Sequence, residues 1–456
     1  MKKYSLKFWL IFWLISAVFL IGWFCFWQVK TRNFNTFATA VDILPIGKEK
    51  QADYKTSLKL ADYLLKKDNK EKTFLILFQN NLEIRPGGGF IGAFGIMKIK
   101  NSKVQSIETH DLSNFDMEVP ENIMPPYPMK EIGYVDHWKL RDSNWSPDFP
   151  INALKAESLY HLGGGKERID GVIGITANVL TSLLAVTGPV EIECYPGAYD
   201  SENAILKLEY QVEKAFDEQG IEREERKSIM GDLARAIMQR AHSLSLQEKK
   251  KLVDILLGDL QKKDIQLYFT DSKIQDVIEN AKWAGKIDED WNKDYLMTID
   301  ANLGSFKSDY YVRRSLAYTI DLSKDEPLAN LKITYVHTAK QMDWMTRGYL
   351  TYLRVYVPQG AKFSETKNFD GAVSGEEFGK KYFGALVKVP LDSTKTVEIN
   401  YTLPQDAAND YGLLIQKQAG LSGVPVSVHV INSDGTRNDF STIMDSDLKY
   451  SEIITK

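Results

Sequence analysis

Two stretches concentrate the residue types that handle anions. The first is Asn80-Asn81-Leu82-Glu83-Ile84-Arg85-Pro86-Gly87-Gly88-Gly89-Phe90, immediately after an apolar run. Glycines there would let backbone amides approach an anion, and Arg85 carries the planar fork that grips two phosphate oxygens at once. The competing structural reading is a tight turn with an exposed Arg. It is not a Walker loop, because no Gly-Lys-Ser/Thr follows. The second stretch runs from Trp138 through Arg141, Asp142, Asn144, Trp145 and Asp148 to Pro150. Arg141 would bind phosphate, Asp142 and Asp148 would offer hard oxygen ligands to Mg²⁺, and Trp138 and Trp145 would stack on sugar rings. Here the structural alternative is an Arg141–Asp142 pair and two core tryptophans. Asp111, Asp116 and Asp136 lie upstream, and Asp111 is a third candidate metal ligand. No Ser-His-Asp order or activated Cys is legible, so nucleophilic catalysis has no support.

Charge narrows the ligand class. Lys2, Lys3, Lys7, Lys30 and Arg32 take five of the 57 basic residues and none of the 61 acids, leaving 52 bases against 61 acids, net -9, beyond residue 32. An acidic body of this kind argues against general nucleic-acid binding. It would have to build a local positive pocket to hold a polyanion. The two cysteines, Cys25 and Cys194, form no disulfide framework, and too few thiols exist for a zinc site. The six histidines show no metal-ligand spacing.

The elements that must position these residues begin with an anchor. Phe8 to Trp27 is a 20-residue run without a charge, with Trp9, Trp13, Trp23 and Trp27 in it. That length spans a bilayer as a helix, and tryptophans suit its interfaces. Ala38-Thr39-Ala40 resembles a cleavage site but lies too far behind the apolar core for an ordinary signal peptide. The expectation is an uncleaved signal anchor, single-pass in the cell membrane, with the chain beyond it extracytoplasmic.

Behind the anchor the pattern predicts an α/β unit. Helices are expected over 50–67, 151–162, 177–187, 201–217, 223–243, 245–262 and 271–283. Ser245 and Glu248 have capping-box spacing, and Thr176 is expected to cap the helix that follows it. Strands are expected at 73–78, 90–99, 104–107, 171–175, 190–194 and 265–270. Residues 190–194 would complete a strand-helix-strand unit in one sheet. Cys194 reads as a small core residue on the apolar face of its strand. Residues 111–150, with six of the 15 prolines, read as a long irregular loop of the sort that often carries function. From about residue 295 short strands dominate, which predicts a β-sandwich. The expected organisation is residues 1–32 as basic tip and transmembrane anchor, 33–292 as the α/β domain and 293–456 as the sandwich.

The sequence resembles an uncharacterised bacterial family known as domain of unknown function 4012. The residues that carry the likeness are Asn80 through Gly92, Arg141-Asp142-x-Asn144-Trp145-Ser146-Pro147-Asp148-Phe149-Pro150, Asp170-Gly171-Val172-Ile173, Gly188-Pro189-Val190 and Tyr352-x-Arg354. The resemblance implies a membrane-anchored extracytoplasmic protein and no particular activity. A remoter similarity is to the LytR-CpsA-Psr phosphotransferases, which move glycopolymers from polyprenyl-pyrophosphate carriers onto peptidoglycan with Mg²⁺. Arg85, Ile151-Asn152-Ala153 with Gly163-Gly164, and Asp170 through Val190 are similar, and Arg223 and Arg226 loosely match that family's later Arg cluster. The chain departs from it where Arg85-Pro-Gly87-Gly88 replaces Arg-Ser-Asp-Thr. Its Arg-Asp corresponds either to His110-Asp111 at a strand end or to Arg141-Asp142.

These readings converge on a mixed sheet with helices on its faces, LytR-CpsA-Psr-like, plus a C-terminal β-sandwich. The expected function is binding, extended to transfer, of a polyprenyl-(pyro)phosphate-linked glycan in cell-envelope assembly. The expected phosphate ligands are Arg85, Arg141, Arg223, Arg226 and the amides of Gly87, Gly88 and Gly89. Mg²⁺ would sit on Asp142, Asp111 or Asp148. The alternative is a non-enzymatic envelope protein that binds glycan or another surface protein.

Overall fold

The computed structural model describes residue 39 and residues 41–450, apart from 194, 223–225, 370–371 and 409–410. The apolar run 8–27, Cys25, Cys194 and Arg223 therefore lie outside the described residues. Among the described residues no helix is long and apolar enough to cross a membrane.

The first unit opens with α1 (Lys48–Leu64) and a five-stranded mixed sheet. Its strands are β1 (Glu71–Asn80), β2 (Phe90–Lys100), β3 (Lys103–Asp111), β4 (Gly171–Thr176) and β7 (Ile265–Phe269), in the order β3-β2-β1-β4-β7. β1 is central because Phe74, Leu75, Ile76 and Leu77 are all buried, so it must be covered on both faces. It pairs antiparallel with β2 and parallel with β4. The turn between β2 and β3 uses Asn101 and Ser102, both at positive φ (49 and 70), as a two-residue hairpin with right-handed twist requires.

Each face of the sheet has its own helical cover. Leu75, Leu77, Phe94 and Val172 pack against Phe149, Ala153 and Leu159 of α2 (Phe149–Leu162). Phe74 and Phe269 pack on the opposite side, against α1, α6 (Leu246–Gln261) and α7 (Ser272–Asn280). A satellite core joins α3 (Asn178–Thr187), α4 (Ala204–Tyr210) and α5 (Ser228–Ser243) to a small hairpin, β5 (Val190–Ile192) with β6 (Tyr195–Tyr199). Two expectations change here. β5 pairs only with β6 and does not join the main sheet. Thr176 caps no helix; it ends β4 and its hydroxyl donates to Asp264 Oδ1 at 2.8 Å. The capping box on α6 forms as its spacing requires, with both reciprocal bonds between Ser245 and Glu248 present.

The second unit begins at β8 (Asp294–Asn302). Two six-stranded sheets face each other around one apolar core. One has the order β12 (Lys362–Lys367), β15 (Ser393–Thr402), β10 (Leu328–His337), β9 (Val312–Asp321), β17 (Val424–Ile431) and β18 (Arg437–Met444), and the other β13 (Val373–Glu377), β14 (Lys380–Val389), β11 (Tyr349–Pro358), β8, β16 (Leu413–Ile415) and β19 (Leu448–Lys449). Period-two burial along β10 (Leu328–His337), with Ala329, Leu331, Ile333 and Tyr335 inside, is the signature that made this region legible.

Candidate functional site

The Gly-rich loop after β1 is a wedge between the two units, and this corrects its expected role. Ile84 N donates to Asp309 Oδ2 (3.0 Å), Asn302 N to Ile84 O (2.9 Å) and Gln418 Nε2 to Arg85 O (3.1 Å). Arg85 is only 1% exposed. Its guanidinium donates to Glu83 (2.9 Å), the Tyr134 hydroxyl and the Asn302 carbonyl, between the rings of Phe90 and Tyr134. Burial opposes its charge, but Tyr134, Glu83 and Asp142 outweigh that and raise its pKa above the ordinary arginine value. An arginine so enclosed cannot meet a dissolved phosphate. The glycines are explained by crowding: a Cβ on Gly89 would lie 2.5 Å from the Asn80 backbone, and one on Gly87 2.6 Å from Asn152 Nδ2. Gly88, at φ +131, lies against Gln79. None of the three glycines is exposed to receive an anion.

The second stretch is structural too. Arg141, a third exposed, bonds Asp116 at 2.6 Å rather than Asp142. Asp142 is 1% exposed, 3.8 Å from Arg85 Nε, and neither of its oxygens has a hydrogen-bond partner. Burial lifts its pKa to about 6 despite Arg85 and Arg141. Among the described residues, Ser143 Oγ, Asn144 Oδ1 and Gln79 Nε2 are likewise buried without hydrogen-bond partners. Asp148 caps α2 through Ile151 N (3.3 Å) and accepts from Ile287 N (3.1 Å). Asp142, Asp111 and Asp148 thus serve separate structures and form no shared metal site. Among the described residues no group of three or more His, Cys, Asp or Glu is placed to hold an ion. Trp145 stacks on Tyr352 of β11 at 6.1 Å and joins Met129, Ala301 and Leu303 in an inter-unit apolar cluster. Trp138 is half-buried, its indole donating to Asp142 O and its ring lying under Lys155. Residues 129–145 of the long loop pack between the units, while Met117, Met124 and Tyr127 earlier in it are exposed.

A second charged cluster lies on the sheet face under α5, beside a cavity. Phe78, Ala93 and Asp111 are consecutive partners across β1, β2 and β3, so they share one face. With Thr109, His110 and Lys227 they line a cavity of about 250 Å³, closed on one side by Met230. Lys227 Nζ bonds Asp111 Oδ1 (2.7 Å) and Gly92 O (2.6 Å). Arg226 stands 3.9 Å from Asp111 Oδ2 and 3.6 Å from Glu213 Oε2, with its Nε buried and unpartnered. α5 opens directly after Lys227, and among the described residues, which leave out 223–225, no side chain caps its first amides. Those amides carry the positive end of the helix dipole. Burial lowers the Lys227 pKa, with Asp111 opposing. The Asp111 pKa is lowered on balance: burial raises it, but the Lys227 hydrogen bond and charge and the Ser113 amide outweigh that. Lys227, paired with Asp111, and the start of α5 therefore meet Phe78, Ala93 and Met230 in the cavity, and Arg226, which does not line it, reaches it only through Asp111.

Of the sequence candidates, the structure brings Asp111 and Arg226 together. It separates them from Arg85, Arg141, Asp142 and Asp148. Sequence reasoning missed Lys227 and passed over Thr109, Phe78 and Met230. The available signal was adjacency: Arg226-Lys227 directly precede an amphipathic helix that has no capping side chain among the described residues.

Residues 69–212 match the family model described as "Protein of unknown function (DUF4012)". This bears out the resemblance read from the Asn80–Gly92 and Arg141–Pro150 motifs. The match takes in Phe78, Ala93, His110 and Asp111 and ends before Arg226 and Lys227. No curated protein matches the chain. Among solved structures, the Lin1025 protein from Listeria innocua is 12% identical, with 48% of this chain and 80% of that chain covered and a TM-score of 0.28. Protein gbs0355 from Streptococcus agalactiae is 11% identical, with 48% and 75% covered and a TM-score of 0.30. TagV from B. subtilis is 9% identical, with 48% and 81% covered and a TM-score of 0.27.

Proposed function

We propose that the protein binds the phosphate end of a polyprenyl-(pyro)phosphate-linked glycan on the outer side of the cell membrane, in cell-envelope assembly. The observation that carries the reading is the cavity at the start of α5. Lys227 and the first amides of α5 would take the anionic head, with Arg226 holding Asp111 from behind as the phosphate displaces it, and Phe78, Ala93 and Met230 would take the first carbons of the chain. An incoming phosphate would compete with Asp111 for Lys227, since both are oxyanions at the same ammonium. The acidic body makes such a local positive site necessary, because general surface charge would repel the ligand. The apolar run 8–27 would hold the domains at the membrane where such lipids reside.

The test uses the full chain in detergent, with farnesyl pyrophosphate compared against farnesol. Saturable binding of the pyrophosphate alone is expected, and Lys227→Ala should weaken it about tenfold or more. Equal binding of farnesol, or an unaffected Lys227→Ala, overturns the reading. A phosphotransferase would also release polyprenyl phosphate when supplied with a lipid-linked glycan and an acceptor, whereas a pure binder leaves the carrier intact. N-terminal sequencing of the membrane fraction tests the anchor: a start near Val41 would show that the run is removed.

A further inference from the structure

Lys307 belongs to the second unit, on the connection between β8 and β9, yet its side chain enters the first. It lies 3.5 Å from Glu209 Oε2 and 3.4 Å from Glu213 Oε1, and is 15% exposed. Its backbone is held there: Asn302 Nδ2 bonds Phe306 O (2.9 Å), and Asp309 N bonds Leu82 O (3.2 Å). Glu209 also accepts from Asn80 Nδ2 at 2.8 Å, at the end of β1. Glu213 turns its other oxygen to Arg226 at 3.6 Å, and Arg226 in turn stands 3.9 Å from Asp111, which lines the cavity. Glu213 lies in a π-helical turn, Gln211–Ala215, fixed by a reciprocal amide pair between Gln211 and Gln219. Such turns insert a residue into a helix and often mark functional sites.

We propose that Lys307 is a positioning residue that sets how Arg226 is divided between Glu213 and Asp111, a lining residue of the cavity, so that the second unit tunes the anion site of the first. The inference rests on the cavity reading given above. The physical case is charge sharing. Glu209 and Glu213 are one helical turn apart and both partly enclosed, so they repel unless a cation joins them. Lys307 is that cation. Without it, Glu213 recruits Arg226 as its sole neutraliser and draws the guanidinium from Asp111. Asp111 is then left wholly to Lys227, and both cations become less available to a phosphate. Removing Glu213 has the opposite effect, because Arg226 then swings fully to Asp111 and loosens Lys227.

Two measurements on the full chain test this. The first is the acetylation rate of Lys227 by acetic anhydride, read by mass spectrometry, which needs no ligand. Lys307→Gln should slow it at least twofold, Lys307→Arg should keep the parent rate, and Glu213→Gln should raise it. The second is farnesyl pyrophosphate binding, which Lys307→Gln should weaken roughly three- to tenfold and which Glu213→Gln in the same chain should restore. Equal Lys227 labelling in parent, Lys307→Gln and Glu213→Gln overturns the proposal. Should Lys307→Gln not fold, the Glu213→Gln rate decides alone. Altered labelling without pyrophosphate binding by the parent would keep the coupling and sink the ligand reading, so the two failures are distinct.

Discussion

Asp294 offers the most direct test of how the second unit is built. It opens β8 with no exposure, and its carboxylate accepts from Tyr318 (3.0 and 2.9 Å) and Tyr411 (2.8 Å). Tyr401 extends the network through Tyr318 at 2.8 Å. Burial exceeds what these hydroxyls return, and its pKa rises from 3.8 to about 6. A rise of that size corresponds to about 3 kcal/mol by linkage, as an order of magnitude. The sign follows from proton binding. Between pH 4 and 6 the folded state holds this proton more tightly than the unfolded chain does. The group's stabilising contribution is therefore full below about pH 4 and lost as pH rises towards 6.

Asp294→Asn keeps the shape, turns one acceptor oxygen into an NH2 donor that a tyrosine hydroxyl can accept, and removes the titration. Asp142 and Asp259 also have pKa values raised to about 6, chiefly by burial, but they titrate in parent and variant alike and cancel in the difference. The variant-minus-parent melting temperature should increase between pH 4.5 and pH 7.5. At about 2–4 °C per kcal/mol for a unit of this size, the increase should be on the order of 5 °C or more. Differential scanning fluorimetry of the full chain in detergent provides the measurement. A difference that stays flat across this range refutes the argument, and would mean that the tyrosines already compensate the ionised carboxylate.

Three further outcomes follow from the packing between the units. Arg85→Ala should destabilise the chain by about 3–5 kcal/mol, because Glu83 and Asp142 are left buried without their cation; a lowered melt with parent-like pyrophosphate affinity per folded molecule is expected, and a selective binding defect would restore Arg85 to the ligand site. Gly420 sits at φ +78 with its missing Cβ 1.9 Å from the Gly88 carbonyl, so Gly420→Ala should force the units apart and expose the Asn80–Phe90 loop to limited proteolysis, while a parent-like cleavage pattern would contradict that packing. The fragment 293–456 should show a β-type circular dichroism spectrum and melt cooperatively, because its own core is closed, yet below the full chain, because Ala301, Leu303 and Tyr352 lose the cover of Met129 and Trp145.

The backbone elements were readable because their causes are local. The continuous apolar run of β1, the Ser245–Glu248 capping spacing and the alternation along β10 each follow from periodicity or a single turn. The site was not readable in the same way. Arg85, Gly87 and Trp145 carry the residue types of an anion and sugar site, but those types serve equally well to fill a crowded interface, and only the position of the second unit decides between the two. Nothing near Asn80 announces that Asp309, Asn302 and Gln418, more than 200 residues on, will close over it. The cavity beside α5 joins Phe78, Asp111 and Lys227 across three strands and a helix start, and each looks ordinary in its own segment. A buried cation needs partners that are buried with it, so its neighbours can be found only after the fold is known. The two anion-handling stretches thus explain why the units stay together: their charges and glycines are used up in closing the contact between them.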